Sequence, residues 1–152
     1  MKRFLPLLIT CVLLSGCISD HEEPEWSLSA GDILPDFSVV TTEGRRVSSS
    51  DSYTSPMVII FFNTGCKDCR EELPVIQKEY EQNLQLPADE QSQYICISRE
   101  EGEGDVRKFW EEYNLTLPVS AQNDRHVYSM FASSGIPRIY KAREGVITYT
   151  FP

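Results

Sequence analysis

Two cysteines spaced C-x-x-C closely follow a long apolar run, and this junction constrains the fold of the chain more than any other feature. The run is Met57 to Phe62, and its length and composition are typical of a strand covered on both faces of a sheet. Cys66 and Cys69 come next, and apolar residues then recur at helical spacing as far as Leu84. The pattern therefore predicts a buried strand, a short loop that carries the dithiol, and a long helix that begins at Cys69.

Periodicity also predicts the other elements of a folded part that starts at Gly31. These elements are a hairpin of strands 37–41 and 46–48, a buried strand at 94–98, a helix at 105–113, a short helix at 125–131 and a last hairpin of strands 138–141 and 146–151. A right-handed crossover through the long helix makes the two buried strands parallel. The order of elements predicts an α/β fold with a central mixed sheet and helices on both faces.

Residues 1–16 are predicted to be a signal peptide. Lys2 and Arg3 precede an apolar run, Phe4 to Leu14, that is too short to span about 30 Å of hydrocarbon. The run ends in Leu14-Ser15-Gly16-Cys17, which resembles the lipobox of bacterial lipoproteins and implies lipidation of Cys17. The alternative is an ordinary signal peptide with a chance cysteine at the cut.

Lipidation implies an extracytoplasmic protein, lipid-anchored to a bacterial membrane on its periplasmic side or at the cell surface, where disulfides persist. Residues 17–30 are then an acidic tether, and residues 31–152 are the folded domain. The chain has 14 basic and 23 acidic residues and a net charge of −9, which argues against nucleic acid as a partner.

The position of the dithiol predicts thiol–disulfide chemistry. A thiol at a helix start lies beside unpaired backbone N–H groups and the positive end of the helix dipole, which favour a thiolate. The two-residue spacing lets a second sulfur, one turn into the helix, close a ring with the first. Cys66 is therefore the expected exposed nucleophile, and Cys69 is the shielded resolving thiol.

Two other interpretations of the pair remain open at this point. A zinc site needs two more ligands, and the candidates are Cys96, which alternates within an apolar strand, His21, which lies in the tether, and His126. A purely structural disulfide would close so short a loop that it constrains the unfolded chain only a little. We expect no metal, and no cofactor besides a redox-active Cys66–Cys69 disulfide.

The segment from Asn63 to Pro74 resembles the active-site region of the TlpA/ResA thiol–disulfide oxidoreductases, which are membrane-tethered proteins with a thioredoxin-like fold. The pattern C-x-x-C-x-x-E-x-P is matched by Cys66, Cys69, Glu72 and Pro74. Residues 31–37 resemble the G-x-x-x-P-x-F entry to this domain, and residues 134–137 resemble its cis-proline loop.

The resemblance implies a catalytic role for Glu72 as a proton relay to Cys69. It also implies a cis peptide bond between Ile136 and Pro137, in a loop that binds the substrate strand. The implied partners are cysteine-containing extracytoplasmic proteins and a membrane donor or acceptor of electrons for thiols. The direction of exchange that we expect is that of a reductase.

Three departures from the family pattern affect details. Gly65 stands where many members have tryptophan, so an aromatic docking contact is missing, and the acidic Asp68 stands where proline is frequent. The sequence stops at Pro152 directly after the last predicted strand, so we expect the final helix of the fold to be missing: either the sequence is a fragment, or one face of the sheet is less covered.

Two alternative functions remain. A peroxiredoxin-type peroxidase shares the entry motif, but its P-x-x-x-T-x-x-C pattern would need threonine and proline where this chain has Asn63 and Ile59. The other is a non-catalytic binding module, in which the two cysteines would form only a structural disulfide that holds a loop together.

Overall fold

The computed structural model describes residues 25–152. The predicted signal peptide, the predicted lipidation site Cys17 and the first part of the predicted tether lie outside the described residues. No helix within residues 25–152 has both the length and the apolar character needed to cross a membrane.

A short antiparallel hairpin stands at the start of the domain, as predicted. Its strands are β1 (Ser38–Val40) and β2 (Arg46–Ser48), which pair with Val39 opposite Val47. Gly44 in the turn has a φ of +84°, in the left-handed region that favours glycine. Both central valines are buried in one hydrophobic cluster with the central sheet, so the hairpin packs on that sheet.

One mixed sheet forms the centre of the described residues. Its strands are β3 (Met57–Phe62), β4 (Gln93–Ser98), β5 (Val119–Ser120), β6 (Arg138–Arg143) and β7 (Val146–Phe151). Their order across the sheet is β5-β4-β3-β6-β7, with β3 parallel to β4 and antiparallel to β6. The predicted parallel pairing is confirmed, and β3 is buried along its whole length because it is the middle strand.

The α-helices of residues 25–152 are α1 (Lys67–Asn83) and α2 (Glu103–Glu112). Both pack on the same face of the sheet, and in this part of the chain the opposite face carries no α-helix but the short 3-10 helix Tyr128–Met130. Leu73 of α1 and Trp110 of α2 share one buried cluster with Phe62 of β3. Within the described residues, β7 is followed by no helix.

The opposite face of the sheet is covered by the β1–β2 hairpin and by an aromatic cluster. The ring of Phe61 lies 5.4 Å from that of Tyr128, 4.9 Å from that of Phe131 and 6.2 Å from that of Tyr140, measured between centroids. These large side chains exclude water from the sheet, so a second helical layer is not needed there.

The short helix predicted at residues 125–131 is reduced to a 3-10 helix, Tyr128–Met130. The Arg125 side chain donates to the Ser133 carbonyl oxygen, and the Tyr128 hydroxyl donates to that of Gly135, each at 2.7 Å. These bonds fold the chain back on itself and take the place of further helical turns. Two short elements were not predicted, because they are too short to show a period: β5 and the 3-10 helix Ser49–Tyr53.

The chain joins the folded unit before the boundary predicted at residue 31. The backbone N–H of Leu28 donates to the carbonyl of Phe131 at 2.8 Å, and that of Ser133 donates to the carbonyl of Trp26 at 2.9 Å. Leu28 also packs against the buried cluster on this face. The end of the predicted tether therefore belongs to the folded unit, because its backbone pairs with residues 131–133.

Candidate active site

Cys66 is the N-cap residue of α1. Its sulfur accepts a hydrogen bond from the backbone N–H of Cys69 at 3.3 Å. That group is one of the N–H groups that a helix leaves without an internal partner. The helix therefore begins at Lys67, ahead of the start at Cys69 that periodicity indicates, and its positive end faces the Cys66 sulfur.

The two thiols of the pair lie in different environments. Cys66 is partly exposed, whereas Cys69, on the buried side of α1, is fully buried, and both are free thiols. Burial raises the pKa of the Cys69 thiol far above its ordinary value, and the hydrogen bond with Cys66 raises it further. The backbone amide of Asn63 and the charge of Arg99 lower this pKa by less. Cys69 is therefore protonated at neutral pH, and it must lose a proton before it can attack a disulfide.

The loop before β6 lies against the dithiol. The Ile136–Pro137 peptide bond is cis, which confirms the prediction. The Cys66 thiol donates to the carbonyl oxygen of Ile136 at a distance of 3.6 Å. The hydroxyl of the buried Tyr128 donates a hydrogen bond to the carbonyl of the neighbouring Gly135, which also restrains this loop.

Glu72 lies one turn beyond Cys69 on α1 and is partly buried. It borders a cavity of about 360 Å³ whose opposite wall is formed by Ile136 and Pro137. The structure therefore brings together four of the predicted site residues: Cys66, Cys69, Ile136 and Pro137, with Glu72 at the edge of the adjoining cavity.

Glu71, the residue before Glu72 in the chain, also borders this cavity. The side chain of Glu71 is 69% exposed and lies 3.9 Å from the Lys67 ammonium, so its charge is solvated and partly compensated. Glu71 and Glu72 therefore differ in two ways: Glu71 is exposed and paired with Lys67, whereas Glu72 is partly buried.

The other side of the dithiol carries positive charge. Lys67, Arg70 and Tyr113 line an open depression that begins at Gly65. The Arg70 guanidinium donates to the Tyr113 hydroxyl at 3.1 Å and lies 5.9 Å from the centre of its ring. Glu71 also lines this depression, so the charge of the depression is basic only on balance, whereas the cavity of about 360 Å³ carries three acidic side chains and one arginine.

Glu101 is a residue of this site that sequence analysis missed. An acidic run such as 100–105 is typical of a solvated entry to a helix, but Glu101 is only 9% exposed. Its carboxylate accepts hydrogen bonds from the backbone N–H of Thr64 at 2.9 Å and from the Thr64 hydroxyl. One signal was present in the sequence: Glu101 follows the end of a parallel strand beside β3, where the carboxyl ends of such strands meet.

The remaining candidates take no part in this arrangement. Cys96 is fully buried in β4, where burial raises its pKa, and His126 is exposed. Among residues 25–152, no three side chains of His, Cys, Asp or Glu are grouped closely enough to hold a metal ion.

Comparisons with known proteins agree with this geometry. The model of the AhpC/TSA family matches residues 30–148. The thioredoxin-like protein YneN of Bacillus subtilis is 33% identical over 126 residues, which cover 78% of this chain and 71% of that protein. The thiol-disulfide oxidoreductase ResA of Bacillus cereus is 24% identical over 140 residues, which cover 89% of this chain and 76% of that protein.

A solved structure shows the same architecture. The solution structure of a putative protein disulfide isomerase from Bacteroides thetaiotaomicron superposes with a TM-score of 0.71 at 27% identity. The superposition covers 83% of this chain and 82% of that one. The fold is thioredoxin-like, as the sequence predicted.

Proposed function

Because this chain belongs to the AhpC/TSA family and carries a dithiol at a helix start, we propose that it is a thiol–disulfide oxidoreductase. In this proposal, the Cys66–Cys69 pair exchanges its dithiol or disulfide with cysteines of partner proteins. The observation that carries the proposal is the position of the Cys66 sulfur. It is partly exposed, it caps α1, and it lies 3.6 Å from the Ile136 carbonyl in the loop that would receive a partner.

The reaction proceeds through a mixed disulfide. The Cys66 thiolate attacks one sulfur of a partner disulfide, and the other partner sulfur leaves as a thiolate that takes up a proton. Cys69 then loses its proton and attacks the Cys66 sulfur. This step forms the Cys66–Cys69 disulfide and releases the second partner sulfur as a thiol. Two electrons pass to the partner, and the reverse sequence oxidises it.

Glu72 supplies a route for the proton of Cys69. Cys69 is shut off from water, so it cannot exchange protons freely with solvent. The Glu72 carboxylate, one helical turn away at the edge of the cavity of about 360 Å³, accepts this proton during resolution and returns it when the disulfide is reduced.

The partner binds along the loop of Ile136 and Pro137. An extended partner segment pairs its backbone with this loop and places its cysteine at the Cys66 sulfur. The cavity beside the loop receives a neighbouring side chain of the partner.

We place this activity outside the cytoplasm, on a membrane, through the lipid on Cys17. The support is the sequence Leu14-Ser15-Gly16-Cys17 after the apolar run. The proposed partners are cysteine-containing extracytoplasmic proteins, and a membrane donor of electrons restores the dithiol. The proposed direction is that of a reductase.

Trapping of mixed disulfides tests the proposal. The variant Cys69→Ala keeps the nucleophile but cannot resolve, so it should accumulate covalent adducts that a reductant releases. Cys66→Ala should form none, and Cys96→Ala should behave like the unmodified protein. Without adducts on Cys69→Ala, the proposed exchange is wrong.

The reduction potential of the pair separates catalysis from a structural role. Catalytic pairs range from roughly −120 to −270 mV, and a reductase should lie near the lower end. A reduction potential far below this range would indicate a purely structural disulfide and contradict the proposal.

Membership of the AhpC/TSA family leaves a peroxiredoxin-type peroxidase as the alternative to test. At the position where that site needs threonine, the side-chain amide of Asn63 donates to the Arg99 carbonyl at 3.0 Å and accepts from Gly65 at 2.8 Å. Peroxide consumption by the reduced protein at a rate above that of Cys66→Ala would favour the peroxidase.

A further inference from the structure

The loop that follows β4 supports the loop that carries the dithiol. The backbone N–H of Arg99 donates to the Phe62 carbonyl at 2.8 Å, and the Asn63 side chain donates to the Arg99 carbonyl at 3.0 Å. Thr64 donates through its backbone N–H and its hydroxyl to the carboxylate of Glu101. Three consecutive residues before the dithiol are therefore tied to residues 99–101.

Glu101 makes two of these contacts through its side chain, and its burial needs an explanation. A carboxylate that is nine-tenths removed from water is costly unless hydrogen bonds or opposite charges compensate it. In residues 25–152 this carboxylate takes part in no ion pair; the nearby Arg99 and Arg125 lie instead at 3.8 and 3.9 Å from Glu100. The two donors of Thr64 are thus its main compensation.

The backbone before Glu101 is also unusual. Glu100 has a φ of +57°, a left-handed conformation that is unfavourable for a residue with a side chain. The turn follows β4 directly, and Glu101 is the first residue after it. Strain of this kind persists where the surrounding structure imposes it, and it often lies at functional sites.

Gly65 makes such support necessary. Glycine between Thr64 and Cys66 leaves the backbone free to adopt many conformations, and it offers no side chain that packs. The Gly65 N–H donates to the Asn63 side-chain oxygen at 2.8 Å, and the Cys66 N–H donates to the Asn63 carbonyl at 3.0 Å, so the loop around Gly65 is held through its neighbours. The direction of the Cys66 sulfur then depends on what holds the loop on either side of Gly65.

We propose that Glu101 is a positioning residue for Cys66, which acts through Thr64. By accepting both donors of Thr64, it fixes the loop so that the Cys66 sulfur faces the Ile136 carbonyl and the Cys69 N–H together. Glu101 does not touch the partner. The inference rests on the proposed function and adds to it a residue from the loop between β4 and α2.

The test compares Glu101→Met, which keeps the volume but has no acceptor, with Glu101→Gln, whose amide still bonds to Thr64. The measurement is the rate constant for exchange with a disulfide-bonded peptide, at a temperature where thermal unfolding shows each variant to be folded. Glu101→Met should be slower by about tenfold, and Glu101→Gln should recover most of the loss. Asp105→Asn, in the same acidic run but exposed, is the matched control and should leave the rate unchanged.

A small aromatic disulfide provides a second readout. It needs no alignment with the Ile136 loop, so its reaction with Cys66 should slow by less than about threefold in Glu101→Met. A role in stability alone would lower the melting temperature without this difference between the two substrates.

Thr64→Val keeps the test decisive if Glu101→Met does not fold. This variant removes the hydroxyl donor and should also slow exchange with the peptide. Combined with Glu101→Met, it should add little, because the two residues act through one contact. Peptide exchange at the unmodified rate in folded Glu101→Met or in Thr64→Val overturns the inference, as does a Glu101→Gln variant as slow as Glu101→Met. Failure of the unmodified protein to exchange at all would instead contradict the proposed function.

Discussion

The thiol of Cys66 lies 3.6 Å from the carbonyl oxygen of Ile136, although 70 positions separate the two residues in the chain. Only the protonated thiol can donate to this carbonyl, whereas the backbone N–H of Cys69 can bond to the sulfur in either state. Ionisation therefore removes the contact with the loop and keeps the one with the helix. The sulfur becomes free to approach a partner just as it becomes nucleophilic.

Cys66 should be the first cysteine alkylated in the native, reduced protein. It is partly exposed, whereas Cys69 and Cys96 are fully buried with raised pKa values, so few thiolates form at either. Mass spectrometry after a short iodoacetamide treatment at mildly acidic pH locates the label. In the mature form predicted here, without residues 1–16 and with lipid on Cys17, Cys66→Ser should stay almost unlabelled until it is unfolded. Preferential labelling of Cys69 would reverse the assigned roles.

Glu72→Gln should slow thiol–disulfide exchange by at least about tenfold and change its pH dependence, because the proton relay to Cys69 is lost. Stopped-flow measurement of the resolution step from about pH 6 to about pH 9 reports both effects. Glu71→Gln is the matched control, since that side chain borders the same cavity but is exposed and paired with Lys67. Equal exchange rates and equal pH dependence in the two variants would show that Glu72 is only a surface charge and relays no proton.

The free energy of unfolding of the reduced protein should fall as the pH rises above about 9. Burial raises the pKa of Cys96 above its ordinary value of 9.0. Above that pH the unfolded chain loses this proton and the native state keeps it, so the native state binds more protons. Stability then declines by up to about 1.4 kcal/mol per pH unit for this thiol, and below about pH 8 the thiol contributes no slope.

Urea unfolding at several pH values between about 8 and about 10 measures this slope. Cys69, whose pKa is raised in the same direction, adds to it. Cys96→Ala is less stable at every pH because of the cavity it creates, but its slope should be shallower. An unchanged slope in Cys96→Ala would show that Cys96 does not keep its proton in the native state.

Cys17→Ala should leave the protein without lipid and outside the membrane fraction. The reason is that the diacylglycerol is expected on the thiol of Cys17, after Leu14-Ser15-Gly16. Metabolic labelling with a fatty acid, together with detergent partitioning, checks both effects. Cys11→Ala, within the predicted signal peptide, is the control and should keep the lipid. Unchanged partitioning of Cys17→Ala would contradict the lipoprotein prediction.

The strand–dithiol–helix unit could be predicted from the sequence because its signals are local. The apolar run Met57–Phe62, the C-x-x-C spacing and the helical period after it lie within one stretch of chain. The hairpin turns were predictable for the same reason, since glycine marks positions such as Gly44 that need a positive φ. The Ile136–Pro137 loop was predicted through its resemblance to a known family.

Tertiary structure alone decided which residues support the dithiol. Glu101 lies in an acidic run that looks solvated, and its burial depends on Thr64, 37 positions away. The common face of α1 and α2 was equally hidden, because the other face is covered by the hairpin and by residues such as Tyr128 and Phe131, from a segment that forms only a short 3-10 helix where the pattern predicts a longer one. A local pattern specifies a backbone conformation and an apolar side, but long-range packing determines which polar group meets which partner and which face each helix covers.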